Sequence, residues 1–174
     1  MGHSKWAKTE VKKAAKDGKT SKVFGKLARA ITMEAKRVHG DVNSPTLRAL
    51  IDRARTVDMP KDNIDRAIKR ATEPGEAMER ITYEAYGPGG VAMIIESITS
   101  NRNKAAQEIK HILDLHECAL AAIGAASWAF TKSHEGWAPA QTVEITEEDG
   151  TKLNALIEEL EENDEVDEIY TNAI

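Results

Sequence analysis

Apolar residues in the first half of the chain recur with the spacing of amphipathic helices. Between residues 20 and 38 they fall three or four positions apart, which places them on one side of a helix. They are Phe24, Leu27, Ala28, Ile31, Ala35 and Val38. Ser44 followed by Pro45 is a typical helix start, and Pro60 begins another helical segment. The pattern predicts a helical bundle over residues 1–78.

The second half of the chain has the periodicity of strands. It begins after Glu73-Pro74-Gly75, a linker signal. The predicted strands cover residues 81–86, 91–99, 127–131, 142–146 and 166–171. Helices capped by Asn101 and Thr146 separate them, so the order is ββαββαβ. We therefore predict the α+β class, with a mostly antiparallel sheet and helices on one face over residues 79–174.

Composition excludes several classes of protein. The 174 residues are 41% hydrophobic and 30% charged, without an apolar run of the ~20 residues that span a bilayer. A single cysteine excludes an intramolecular disulfide and a cysteine-based zinc cluster. The N-terminus lacks the pattern of a secretory signal. We expect a cytoplasmic protein that does not contact a membrane.

Charge is divided unequally along the chain. Residues 1–80 hold 19 Lys+Arg and 11 Asp+Glu, whereas residues 81–174 hold 5 and 18. Such asymmetry indicates a polyanion-binding N-terminal domain joined to an acidic domain. The alternative is that both are solvated surfaces that keep the protein soluble.

The candidate phosphate ligands are cations that repeat along the N-terminal helical region. They are Lys5, Lys8, Lys12, Lys16, Lys22, Lys26 and Arg29. Three further residues, His3, Ser4 and Trp6, would form a close-contact tip. An aromatic residue among lysines suits stacking on bases, but Trp6 could equally pack the first helix onto the bundle.

No residue set in the sequence has the pattern of a catalytic site. The glycines of Gly87-Pro88-Gly89-Gly90 lack the spacing of a phosphate-binding loop, so a hairpin turn is expected. His111 and His116 are five residues apart, on different faces of a helix, and Cys118 is the only cysteine near them. We expect no enzymatic activity, metal, cofactor or small-molecule substrate.

Several motifs, in order along most of the chain, resemble those of the YebC family. They are Gly2-His3-Ser4-Lys5-Trp6-Ala7, Lys12-Lys13-Ala14-Ala15, residues 24–31, Met59-Pro60-Lys61-Asp62-Asn63-Ile64, Arg66-Ala67-Ile68-Lys69-Arg70, residues 83–91 and Asn101-Arg102-Asn103. The resemblance implies a cytoplasmic, non-catalytic regulator of gene expression. Bacterial members are described as DNA-binding transcriptional regulators. A mitochondrial relative activates translation, and some bacterial relatives help ribosomes through proline-rich stretches.

The sequence departs from this family in two places. Members have a helical domain and two α/β domains, the third inserted into the second, but only eleven residues separate Phe130 from Thr142 here. The inserted domain is therefore predicted to be absent near residues 132–141. The segment 117–124 also has a single glycine where the family is glycine-rich.

Together, these observations predict a regulator of gene expression that binds nucleic acid through its N-terminal domain. By family resemblance the expected activity is transcriptional regulation through DNA. One alternative is a translation factor that binds ribosomal RNA or the ribosome. Another is a protein-interaction module driven by charge, in which the basic half meets an acidic protein partner or the acidic half of another copy of the chain.

Overall fold

The computed structural model describes residues 17–174, with side chains from residue 20 onward. Within this range the residues up to Glu79 form one compact unit and Arg80–Ile174 form another. The helices of residues 17–174 are too short or too polar to span a lipid bilayer.

The first unit contains three helices. These are α1 (Asp17–Arg37), α2 (Pro45–Thr56) and α3 (Lys61–Arg70). Their apolar stripes meet in one core that includes Ile31, Leu47 and Ile64. Ser44 stands at the predicted position before α2, but its hydroxyl contacts the Thr46 hydroxyl at 3.0 Å instead of capping the helix.

The second unit combines six strands with two helices. The strands are β1 (Glu79–Gly87), β2 (Val91–Thr99), β3 (Ala119–Ala121), β4 (Phe130–Ser133), β5 (Gly136–Pro139) and β6 (Val166–Thr171). The helices are α4 (Arg102–Leu115) and α5 (Glu147–Glu162). One sheet has the order β3-β1-β2-β6, and β4 pairs with β5 in a separate two-stranded sheet. The β1–β3, β2–β6 and β4–β5 pairs are antiparallel, which confirms the predicted α+β class.

Strand β2 occupies the centre of this unit. All nine of its residues are buried. Val91, Met93 and Ile95 pack with α4 and α5 on one face. Ala92 and Ile94 pack with Phe130 and Tyr170 on the other. A strand that is apolar on both faces is thus buried at the centre of this unit.

Both helix caps predicted in the second unit are present. The side chain of Asn101 accepts a hydrogen bond from the Lys104 N–H at 3.0 Å at the start of α4. The Thr146 hydroxyl accepts one from the Asp149 N–H at 3.1 Å at the start of α5. These bonds satisfy main-chain donors that a helix start leaves without partners.

Four segments between α4 and α5 differ from the prediction. Strands β3 and β5 were not predicted. Residues 127–129 form a 3₁₀ turn, so that the predicted strand starts only at Phe130. Residues 142–146 make only one bridge, Val143 to Ala173, because β4 turns directly into β5 and pairs with it instead. Gly136, where β5 starts, adopts φ +116°.

The β4–β5 hairpin is held to the sheet by aromatic contacts. The rings of Phe130 and Trp137 meet edge to face, with centroids 6.5 Å apart. The Trp137 indole N–H donates to the buried carboxylate of Glu96 at 3.1 Å. The other oxygen of Glu96 accepts from Arg80 at 2.7 Å. A short hairpin thereby covers one face of β2.

Candidate nucleic-acid interface

The structure describes three of the ten predicted nucleic-acid-binding residues, Lys22, Lys26 and Arg29. All three lie on α1. The other seven lie outside the described residues. They are His3, Ser4, Lys5, Trp6, Lys8, Lys12 and Lys16.

The three cations form a row along α1. Their spacing of four and three residues places them on one helix face, and the row covers about 10 Å of the axis. The side chain of Lys22 is exposed, and those of Lys26 and Arg29 are half-buried. We call this row, Lys22, Lys26 and Arg29, the α1 basic face.

The opposite side of α1 is fixed in the core of the first unit. Ile31 and Ala35 are fully buried there. The Thr32 hydroxyl contacts the carbonyl oxygens of Ala28 at 2.8 Å and Ala67 at 2.9 Å, which links α1 to α3. This packing determines the rotation of α1 and turns the basic face away from the core.

Arg37, near the end of α1, is engaged in a local ion pair. Its guanidinium lies 2.5 Å from a Glu34 carboxylate oxygen and donates to the Thr46 hydroxyl at 3.0 Å. The hydrogen bond and the negative charge of Glu34 raise the pKa of Arg37. Glu34 and Thr46 therefore hold this guanidinium where α1 ends and α2 begins.

The remaining helices of this unit carry charges of both signs. On α2, Arg55 lies 3.1 Å from Asp52. On α3, Arg66 donates to the main-chain oxygen of Asp62 at 3.2 Å and to the Asn63 side chain. The carboxylates of Asp62 and Asp65 are exposed and would repel phosphates.

The second unit contains a buried carboxylate that the sequence analysis did not predict. Glu84, only 6% exposed, accepts hydrogen bonds at 2.7 Å from the main-chain N–H groups of Gly124, Ala126 and Ser127. Burial by itself would raise the pKa of Glu84, but these bonds outweigh it and the pKa is lowered. The carboxylate therefore stays ionised and fixes the loop after β3.

The same loop and strand β1 present aromatic and apolar side chains to solvent. Ile123 is 97% exposed, Trp128 54% and Tyr86 37%. The Trp128 indole N–H donates to the Ala125 carbonyl at 2.9 Å and the Tyr86 hydroxyl at 3.0 Å. We call Tyr86, Ile123 and Trp128 the apolar platform. The sequence pattern that could have indicated this platform is the absence of charged side chains from residues 118–131.

The histidine and cysteine considered as metal ligands are engaged with other groups. His116 Nε2 lies 2.6 Å from a Glu159 carboxylate oxygen. The Cys118 thiol donates to the His116 carbonyl at 3.3 Å, and burial raises its pKa. Among the described residues no group of three or more His, Cys, Asp or Glu side chains could hold a metal ion.

Sequence models of two domains match most of the chain. The TACO1/YebC protein N-terminal domain matches residues 4–74. The TACO1/YebC second and third domain matches residues 78–135 and 131–173.

Curated relatives cover nearly all of this chain. A "Probable transcriptional regulatory protein" of Petrotoga mobilis is 42% identical over 174 residues, which are 98% of this chain and 69% of the relative. One from Chlorobaculum tepidum is 44% identical over 94% of this chain and 66% of its own length. The chain thus spans about two thirds of the length of these relatives. One from Thermosipho melanesiensis is 34% identical over 233 residues, which are 98% of this chain and 92% of the relative.

A solved structure has the same fold. The crystal structure of a conserved hypothetical protein from Aquifex aeolicus superposes with a TM-score of 0.80 and 26% identity, covering 91% of each chain. With both domain models matched in order, the chain belongs to the TACO1/YebC family.

Proposed function

We propose that this protein is a non-enzymatic regulator of gene expression that binds nucleic acid through its N-terminal helical domain. The observation that carries the proposal is the α1 basic face, where three cations share one side of a helix whose other side is buried. Cations in a row neutralise successive phosphates and release counterions. Relatives named as transcriptional regulatory proteins support the same class of function.

The proposed interface extends from the α1 basic face to the seven predicted residues upstream of α1. Residues 1–40 carry 11 Lys+Arg against 3 Asp+Glu. The acidic C-terminal domain would repel phosphates and is proposed to contact protein or to organise the first domain.

The names of the relatives favour DNA as the target. RNA is the alternative, favoured by the lysine-rich segment before α1. A helix that reads base edges in the major groove meets phosphates on both sides. Helix α3 has exposed charges of both signs, the carboxylates of Asp62 and Asp65 among four cations, so it lacks the uniformly basic surface of such a helix. Contacts from α1 and the lysine-rich segment before it suit binding through phosphates, which needs no base-reading helix.

Charge reversal on α1 tests the interface. The variant Lys22→Glu/Lys26→Glu/Arg29→Glu should bind both duplex DNA and structured RNA roughly tenfold or more weakly in fluorescence anisotropy. If three phosphate contacts are lost on duplex DNA, the log–log salt slope should become shallower by about 2.7.

A matched control distinguishes the loss of the α1 basic face from a change in the net charge of the protein. Arg48→Glu/Lys61→Glu/Lys69→Glu makes the same charge change at exposed positions of α2 and α3. It should retain most of the affinity and the salt slope. Equal losses in the two variants would show that overall charge is responsible and that the interface is misplaced.

The choice between DNA and RNA needs an experiment in cells. The tagged protein is crosslinked, and DNA and RNA are recovered separately and sequenced. Discrete promoter DNA without ribosomal RNA would support transcriptional regulation. Recovery of ribosomal RNA would support a translation factor. If neither DNA nor RNA is recovered, the protein-interaction alternative is supported.

We also propose that the β4–β5 hairpin stands where longer relatives carry an inserted third domain. Its turn has two residues, His134 and Glu135. The Thermosipho melanesiensis relative aligns over 233 residues, against 174 residues in this chain. The boundary between domains of residues 1–78 and 79–174 is part of the same proposal. Any activity that rests on the third domain would then differ in this protein.

A further inference from the structure

The apolar platform of Tyr86, Ile123 and Trp128 is rigidly held. Burying a carboxylate is unfavourable unless hydrogen bonds replace the water that it loses. Here Glu84 is buried and takes three main-chain N–H bonds from the loop that carries Ile123. The loop conformation is therefore fixed before anything binds to it.

The aromatic members of the platform are fixed as well. The Trp128 indole N–H is held by the Ala125 carbonyl and the Tyr86 hydroxyl, and that hydroxyl donates in turn to the same carbonyl. More than half of the Trp128 surface remains exposed. Pre-ordered aromatic side chains lose little conformational entropy on binding and are typical of interface hot spots.

The net charge of the unit that carries the platform restricts what can bind there. Residues 118–131 contain no charged side chain, so the platform itself lacks cations for phosphates. The unit that carries it, residues 80–174, has 6 Lys+Arg against 18 Asp+Glu. Nucleic acids and anionic membranes would be repelled, as would the same unit of a second copy in a symmetric contact.

We propose that the apolar platform docks a different protein, whose surface has an apolar recess surrounded by lysine and arginine side chains. Ile123 and Trp128 would enter the recess, and the acidic surface of the unit would attract the basic rim. Three large side chains cannot supply the ~800 Å² per partner of a standard interface. The basic rim is therefore required for binding as well as for orientation.

Site-specific photocrosslinking in the organism that encodes the protein tests this docking site. A p-benzoyl-phenylalanine at position 123 of the full-length chain is the probe, and the same residue at position 115 is the matched control. Leu115 is also an exposed apolar residue of this unit, 60% exposed. Adducts are treated with nuclease, and the crosslinked peptides of the partner are identified by mass spectrometry.

The expected result is a protein adduct at position 123 that is absent at position 115. Its crosslinked peptide should be apolar and flanked by lysine or arginine. The yield should fall roughly 30-fold with Trp128→Ser, the effect of losing a central aromatic anchor. It should also decrease with added salt and stay unchanged in the variant Lys22→Glu/Lys26→Glu/Arg29→Glu.

Four results would overturn the proposal. They are an adduct with a second copy of this chain, an adduct with nucleic acid, a partner peptide on an acidic surface, and equal yields at the two positions. If Trp128→Ser does not fold, Tyr86→Phe replaces it, because it removes only the hydroxyl that positions the indole. That variant should lower the yield roughly threefold, a partial loss of the anchor, and an unchanged yield would also refute docking at the platform.

Discussion

At the scale of single residues, Glu84 has the clearest energetic role. Its carboxylate is the common acceptor for three main-chain N–H groups of one loop. Hydrogen bonds to a charged acceptor are stronger than neutral ones. We predict that Glu84→Gln lowers the free energy of unfolding by about 3 kcal/mol, because the amide cannot accept from all three donors. Urea titration measures this, and Glu144→Gln at an exposed position should change the free energy little.

Because the pKa of Glu84 is lowered, the contribution of Glu84 to the free energy of unfolding should depend on pH. A carboxyl group whose pKa is lower in the folded state stabilises the protein above its unfolded pKa, near 4.5. That stabilisation is lost as the pH falls through the folded pKa. The difference in unfolding free energy between wild type and Glu84→Gln should thus be full at pH 7 and shrink in acid. A difference that stays constant down to pH 3 would contradict this account.

At the scale of elements, helix α1 carries a glycine that its fold does not require. A Cβ added at Gly25 would meet no atom within 4 Å. Gly25→Ala should therefore stabilise the protein by about 1 kcal/mol through helix propensity. Thermal unfolding measures the gain. Binding to nucleic acid should not change, because no charge on the α1 basic face is altered.

In the β4–β5 hairpin, by contrast, the fold requires a glycine at position 136. Gly136 has φ +116°, and a Cβ there would overlap the hydroxyl of Tyr170. Gly136→Ala combines backbone strain with overpacking, so we predict a loss of about 3 kcal/mol in unfolding free energy. The companion variant Gly136→Ala/Tyr170→Phe, which removes that hydroxyl, should recover part of the loss. No recovery would show that the strained φ alone is responsible.

At the scale of the whole molecule, stability should be distributed unevenly. Strand β2 is buried along its entire length, whereas β3 is a three-residue strand at the edge of the sheet. Amides that exchange only on global unfolding belong to such central elements. Hydrogen exchange should be slowest in β2 and much faster in β3. Equal protection of the two strands would contradict the assignment of β2 as the centre of the core.

The α1 basic face was predictable from sequence because helical spacing is local. Apolar positions three and four residues apart determine which side of α1 is buried, and this leaves Lys22, Lys26 and Arg29 on another side. The hydrophobic run from Val91 to Ile95 is likewise a local pattern, typical of a buried strand. Capping at Asn101 and Thr146 was predictable for the same reason, since the donor lies three residues after the acceptor.

The sequence was thus sufficient to predict the helices of the first unit, the α+β class of the second and the division of charge between them. Where β3 and β5 form depends on the tertiary structure, because such short segments become strands only by pairing with another strand. The tertiary structure also decided that Glu84 is buried forty residues from the loop it holds. Contacts between residues so far apart leave no periodic signal in the sequence. They fix the loop that presents Ile123 and Trp128 of the apolar platform to solvent.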